Sequence, residues 1–202
     1  MARFDRERGL LVIRLVYCGA ASSGKTTNLR SLHDMLPEVQ VGAVLDTGPA
    51  VERTLFFDYV LADLGQVAGL SVQAEIFTVP GQAYYREARR SVLEQADGII
   101  FVADSSPDRW VPNLQAQVDV VQILASHGRL LDPSDLPVVY QWNKRDLPGA
   151  VSEARLEAAL NRAGAPSFSA VAGTGRGVEE TATAALQATL RAVRARHAHP
   201  ET

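Results

Sequence analysis

The chain has 202 residues, 47% of them apolar, and a formal net charge of −3. That length can bury one sizeable core, so a single domain over residues 1–202 with short terminal tails is expected. Acidic and basic residues are interspersed, so no basic face of the nucleic-acid-binding type stands out. The lone cysteine, Cys18, cannot form an internal disulfide and reads as a small core residue. The apolar run 10–18 is broken by Arg14 and is too short to cross a membrane. Residue 2 is alanine and the chain ends Pro-Glu-Thr, which encodes no lipid anchor. A cytoplasmic protein with no intrinsic membrane anchor is expected.

From the N-terminus, the run LLVIRLVYC at 10–18 predicts the first strand and 25–36 the first helix. Strands follow at 54–61 and 70–79, separated only by ADLGQVAG. That spacer is too short for a helical crossover, so these two strands should pair antiparallel. Further strands are predicted at 97–103, 136–142 and 167–172, and further helices at 83–95, 109–127, 152–163 and 177–197. In the last helix Val178, Leu186, Leu190 and Val193 recur at near-helical spacing. Strands alternating with helices imply an α/β fold. The expected architecture is a mixed six-stranded sheet with one antiparallel edge strand and helices on both faces, and it would place the loops at the strand ends where such folds bind ligands.

The segment between the first strand and the first helix, Gly19-Ala20-Ala21-Ser22-Ser23-Gly24-Lys25-Thr26-Thr27, contains the P-loop pattern G-x-x-x-x-G-K-[ST]. Its glycines allow a tight path that aims the N–H groups of about residues 23–27 at phosphate oxygens, at the positive end of a helix. Lys25 would reach the β- and γ-phosphates, and the Thr26 hydroxyl is placed to ligate Mg²⁺. Lys and Arg together number 20, yet Lys25 and Lys144 are the only lysines. A chain that uses arginine wherever a generic cation serves has kept lysine where a compact, flexible ammonium is needed.

Lys144 stands in Asn143-Lys144-Arg145-Asp146, after the predicted strand LPVVYQW. This matches the guanine-reading N-K-x-D pattern. A carboxylate at Asp146 can accept hydrogen bonds from both the ring N–H and the exocyclic amine of guanine, a pair that adenine lacks. Asn143 would tie the base loop to the P-loop, and the Lys144 stem would lie along the base. Ser169-Ala170, in SAVAG, fits a second loop backing the base.

With these motifs in this order, the sequence resembles Ras-like small GTPases over nearly its whole length. More closely it resembles the bacterial MglA-type GTPases, whose relatives set cell polarity and drive gliding or type IV pilus motility. The stretches ERTLFFDYV and TVPGQ carry the closer likeness, as switch I and switch II. The resemblance implies that Thr54 closes over the γ-phosphate and ligates Mg²⁺, and that Gly81 holds the second switch. It implies that Gln82 orients the attacking water and that Arg53 serves as an arginine finger in cis. Thr78 stands where most small GTPases have an aspartate beside Mg²⁺, so weaker Mg²⁺ retention is expected unless Asp58 or Asp104 supplies the missing charge. The implied ligands are GTP, GDP and Mg²⁺. The implied partners are a roadblock-type activator protein and GTP-dependent effectors, with recruitment to a cell pole and a monomer when alone. Two rival readings are a GTP-binding scaffold with negligible hydrolysis, opposed by Arg53 and Gln82, and an ATP-dependent kinase, opposed by Asp146.

Overall fold

The run at 10–18 becomes a strand because its β-branched and aliphatic residues have two apolar surfaces to fill. In the computed structural model, which describes residues 2–5, 7–35, 41–42, 59–67, 69–79 and 86–198, this strand is β2 (Leu10–Cys18). The other strands are β1 (Arg3–Asp5), β3 (Val41–Gly42), β4 (Tyr59–Val67), β5 (Leu70–Thr78), β6 (Gly98–Asp104), β7 (Val138–Asn143) and β8 (Ser167–Ser169). They form one sheet in the order β3-β4-β5-β2-β6-β7-β8, with β1 paired to β2. β5, β2, β6, β7 and β8 run parallel to one another. The β4–β5, β3–β4 and β1–β2 pairs are antiparallel.

Alternation along the strands sorts side chains between two cores. Ile13, Leu15 and Tyr17 of β2, with Ile100 and Val102 of β6, face helices α1 (Lys25–Met35) and α5 (Val178–Ala198). Val16 and Cys18, with Ile99, Phe101 and Ala103, face α2 (Arg86–Glu94), α3 (Trp110–Ala125) and α4 (Glu153–Leu160). Every residue of β6 is buried, as a central parallel strand covered on both faces requires. Truncating Ile100 or Phe101 to alanine would therefore cost about 2–5 kcal/mol.

The expected mixed sheet with helices on both faces is present, and two short strands extend it. β3 pairs outside β4, so β4 is not the edge. Three residues or fewer carry no periodic signal, which is why β1 and β3 do not stand out in the sequence. The spacer ADLGQVAG is mostly strand rather than turn. β4 continues to Val67 opposite β5, with a register irregularity between Asp63 and Gln66 that absorbs Gly65. Residues 54–58 of the predicted strand lie outside the described residues. The segment before α3 is a short 3-10 helix, Pro107–Arg109, with proline at its start. No helix among the described residues is long and apolar enough to cross a membrane.

Candidate functional site

The carboxyl ends of β2, β6 and β7 lie side by side in the sheet, and three loops leave them toward the same edge. The loop after β2 turns back under tight steric limits. Gly19 has φ +134°, and a Cβ there would stand 2.2 Å from the Val102 carbonyl oxygen of β6. Gly24 has φ +101°, and a Cβ there would stand 2.2 Å from Asn143 Nδ2. Ser22 also takes a left-handed backbone, φ 61°, a conformation that non-glycine residues seldom adopt. The first glycine thus lets β6 pass, and the second lets the base loop approach.

α1 starts directly from this loop, with no acidic residue in its first turn to compete with an anion for the positive end of the helix dipole. Lys25 is its first residue and only 7% exposed. Its Nζ donates to the carbonyl oxygens of Gly19 at 3.2 Å and Ala20 at 2.7 Å. Burial pulls its pKa down to about 8, and the neighbouring cations Arg89 and Arg109 act in the same direction. Beneath it, burial pushes the Cys18 thiol up to about 12, so that cysteine is a core residue rather than a nucleophile.

Asn143 fastens the loop after β7 to the loop after β2. Asn143, 2% exposed, donates from Nδ2 to the Ser23 carbonyl at 2.8 Å and accepts the Ala172 N–H at Oδ1 at 2.9 Å. It therefore joins the loops after β2, β7 and β8. The Arg145 N–H donates to the Ala170 carbonyl at 3.1 Å, and the Ala170 N–H to the Trp142 carbonyl at 2.8 Å. The Ser169 hydroxyl donates to Glu153. Asp146 is exposed beside them. Lys144 has φ 63°, and its Nζ lies 2.6 Å from Asp104 Oδ2.

Asp104, 1% exposed at the end of β6, is the residue whose role in the sequence reading changes. Burial alone would raise its carboxyl pKa, but hydrogen bonds from Lys144 and Ser106 hold it below the usual carboxylate range. Its backbone N–H and carbonyl are both bonded to Asn113 of α3, at 3.1 and 2.8 Å. Its carboxylate oxygens are engaged by Lys144 and Ser106, a different setting from the Mg²⁺-side role that the resemblance allowed. Thr78 itself is buried at the end of β5, paired in register with Tyr17. Arg53, Thr54, Asp58, Gly81 and Gln82 lie outside the described residues.

Sequence reasoning missed the bracing of α1. Gln141 of β7 donates to Asn28 Oδ1 at 2.8 Å and to the Thr181 hydroxyl at 3.1 Å. Asn28 in turn donates to the Gly24 carbonyl at 3.0 Å. Each of these is a buried polar residue inside a predicted helix or strand, and that was the signal available.

A mixed, mostly parallel sheet with this loop arrangement belongs to the P-loop small G-protein class. The chain belongs to the ADP-ribosylation factor family, whose family model matches residues 7–172. It is 37% identical over 177 residues to the mutual gliding-motility protein MglA of Myxococcus xanthus, a match covering 88% of this chain and 90% of that protein. It is thus an MglA-type small GTPase. It is also 31% identical over 148 residues to ADP-ribosylation factor-like protein 6 of Caenorhabditis briggsae, covering 73% of this chain and 68% of that protein. Against human ADP-ribosylation factor-like protein 4D the identity is 30% over 148 residues, covering 73% and 65%.

Proposed function

We propose that this chain is a GTP-binding, GTP-hydrolysing switch acting in cell polarity or surface motility; the name of its Myxococcus relative supports the motility part. The observation that carries the proposal is the double use of Asn143, which binds the Ser23 carbonyl of the phosphate loop and the Ala172 N–H behind the Ser169-Ala170 loop. Asp146 then stands to read guanine while residues 19–27 hold phosphates from the same framework. Lys25 supplies charge to the β/γ-phosphates, and its proton is stabilised once an anion faces it.

Among the described residues no group of three or more His, Cys, Asp or Glu could hold a metal. Hydroxyls of Thr26 and Thr54, completed by phosphate oxygens and water, are a donor set that suits Mg²⁺. Mg²⁺ when bound supplies charge stabilisation on the phosphoryl oxygens. Thr78 would hydrogen-bond its water shell without adding charge. Gln82 orients the attacking water and Arg53 faces the charge that develops in the transition state. Gly81 and Thr54 hold the two switch segments to the γ-phosphate, and hydrolysis releases them. Turnover alone is slow, and a roadblock-type activator speeds it by aligning Arg53 and Gln82 with the γ-phosphate. GTP-dependent effectors read the closed form.

Phosphate release tests this reading. GTP should be hydrolysed, and ATP at equal concentration should not. Arg53→Ala and Gln82→Leu should each remove most activator-stimulated turnover, about 10³-fold or more for the arginine, with GTP affinity kept within a few-fold. Equal hydrolysis of ATP would overturn the nucleotide assignment. Full stimulated turnover in Arg53→Ala would move the finger to the partner.

A further inference from the structure

Arg109 is a cation that neither nucleotide motif contains. It closes the 3-10 turn after β6, with its side chain 28% exposed. Its Nη2 donates to the Ala21 carbonyl, in the middle of the phosphate loop. Its Nε lies 3.9 Å from Asp104 Oδ2 and is buried with no hydrogen-bond partner among the described residues. The same Asp104 oxygen takes the Lys144 ammonium at 2.6 Å. The other, Oδ1, accepts the Ser106 N–H at 3.0 Å and hydroxyl at 2.7 Å. One buried carboxylate therefore stands between a cation of the base loop and a cation that grips the phosphate loop.

The geometry has two consequences. Two cations on one carboxylate leave net positive charge beside the phosphate loop, favourable for an anionic ligand. The planar guanidinium also offers donors in two directions, so one side chain spans the Ala21 carbonyl and Asp104, which a lysine could not do at once. Asn113 fixes the Asp104 backbone, so the junction is anchored to α3 rather than to either loop.

We infer that Arg109 is a positioning residue that, through Asp104, couples the phosphate loop to the guanine loop, so that a guanine nucleotide is held at both ends by one connected network. This rests on the guanine-nucleotide reading above. A nucleotide held so leaves only when both loops open together. Without the link each loop opens independently and release accelerates.

The test is the rate at which a fluorescent GDP leaves the full-length protein when chased with excess GDP. Arg109→Met should raise that rate about tenfold, the scale of one charge-assisted hydrogen bond. Arg109→Lys should recover part of the loss, since an ammonium can reach one of the two partners. Asp104→Asn should also speed release, and the double variant with Arg109→Met should release no faster than the quicker single one, because both break the same link. A merely structural arginine would lower the thermal midpoint of the nucleotide-free protein. The coupling role instead lowers only the rise in midpoint that GDP produces. Should Asp104→Asn fail to fold, the Met and Lys variants at Arg109 carry the test alone. Release within twofold of wild type in Arg109→Met, or single effects that multiply in the double variant, would overturn the inference while leaving the nucleotide reading intact. A wild-type protein that binds no GDP would overturn both.

Discussion

The two lysines of this chain sit at opposite ends of the site and are treated in opposite ways. Lys25 is buried and, among the described residues, donates to the backbone carbonyls of Gly19 and Ala20, with burial holding its pKa near 8. Lys144 is part-exposed and bound to a carboxylate that is itself nearly inaccessible. Among the described residues the charge on Lys25 thus meets carbonyl dipoles and no carboxylate, which would suit an incoming anion, while the charge on Lys144 is already paired with Asp104. A buried cation without a counter-charge is unfavourable for folding, and such a cost is expected where it is recovered on binding. On the proposed reading Asp146 discriminates the base, and its neighbours need only be rigid.

The contrast breaks most visibly at Lys25. Lys25→Ala should weaken GDP binding about a thousandfold or more, and Lys25→Arg should not restore it, because the planar fork does not fit the space that a compact ammonium fills. Lys144→Ala should cost about ten- to a hundredfold, since it removes a loop brace rather than a phosphate contact. Isothermal titration on the three variants measures both effects, and equal losses at the two lysines would erase the distinction.

The same contrast has a pH signature. Bound phosphate keeps Lys25 protonated, whereas the free loop lets it titrate at about 8. GDP affinity should thus be flat below pH 8 and fall as pH rises past it, by at most about tenfold per unit. For the nucleotide-free fold the sign is the reverse. The folded pKa lies below the unfolded value near 10.5, so stability rises between pH 8 and 10.5 as the buried charge is lost. Affinity unchanged between pH 7 and 9 would show that Lys25 is fully charged without a ligand.

A smaller effect sharpens the role of the junction between the ends. Asn143→Ala removes the bonds to the Ser23 carbonyl and the Ala172 N–H and leaves two buried backbone groups unpaired. Urea denaturation should show a loss of about 1–3 kcal/mol. A variant as stable as wild type would mean that the loops are held by packing alone.

Much of this arrangement was legible in the sequence, and the reason differs by level. Long strands such as β2 and β6 and the five helices follow from apolar periodicity, because each must bury a defined face. The loops after β2 and β7 follow from motifs whose residue types and spacing a nucleotide ligand would dictate. The scarcity of lysine singled out both Lys25 and Lys144, and the structure gives each its own environment. β1 escaped notice because a three-residue exposed strand has no pattern. It is held instead by pairing to β2 and by the Ala2 N–H donating to Asp97 at 2.7 Å. The extension of β4 through Gly65 was hidden because a bulge mimics a turn. Asp104 and Arg109 were illegible as a junction, since the first pairs with a residue 40 positions away and the second with one 88 positions away. No local rule connects them.

The most direct test of the account is a reversal of base preference at Asp146. Wild type should prefer GDP to xanthosine diphosphate and ADP by about a hundredfold or more in competition titrations, because the other bases leave the carboxylate unpaired or opposed. Asp146→Asn offers an amide donor to the exocyclic oxygen of xanthine, so the order of GDP and xanthosine diphosphate should invert. A variant that binds all three diphosphates as wild type does would contradict the assignment of this loop to guanine.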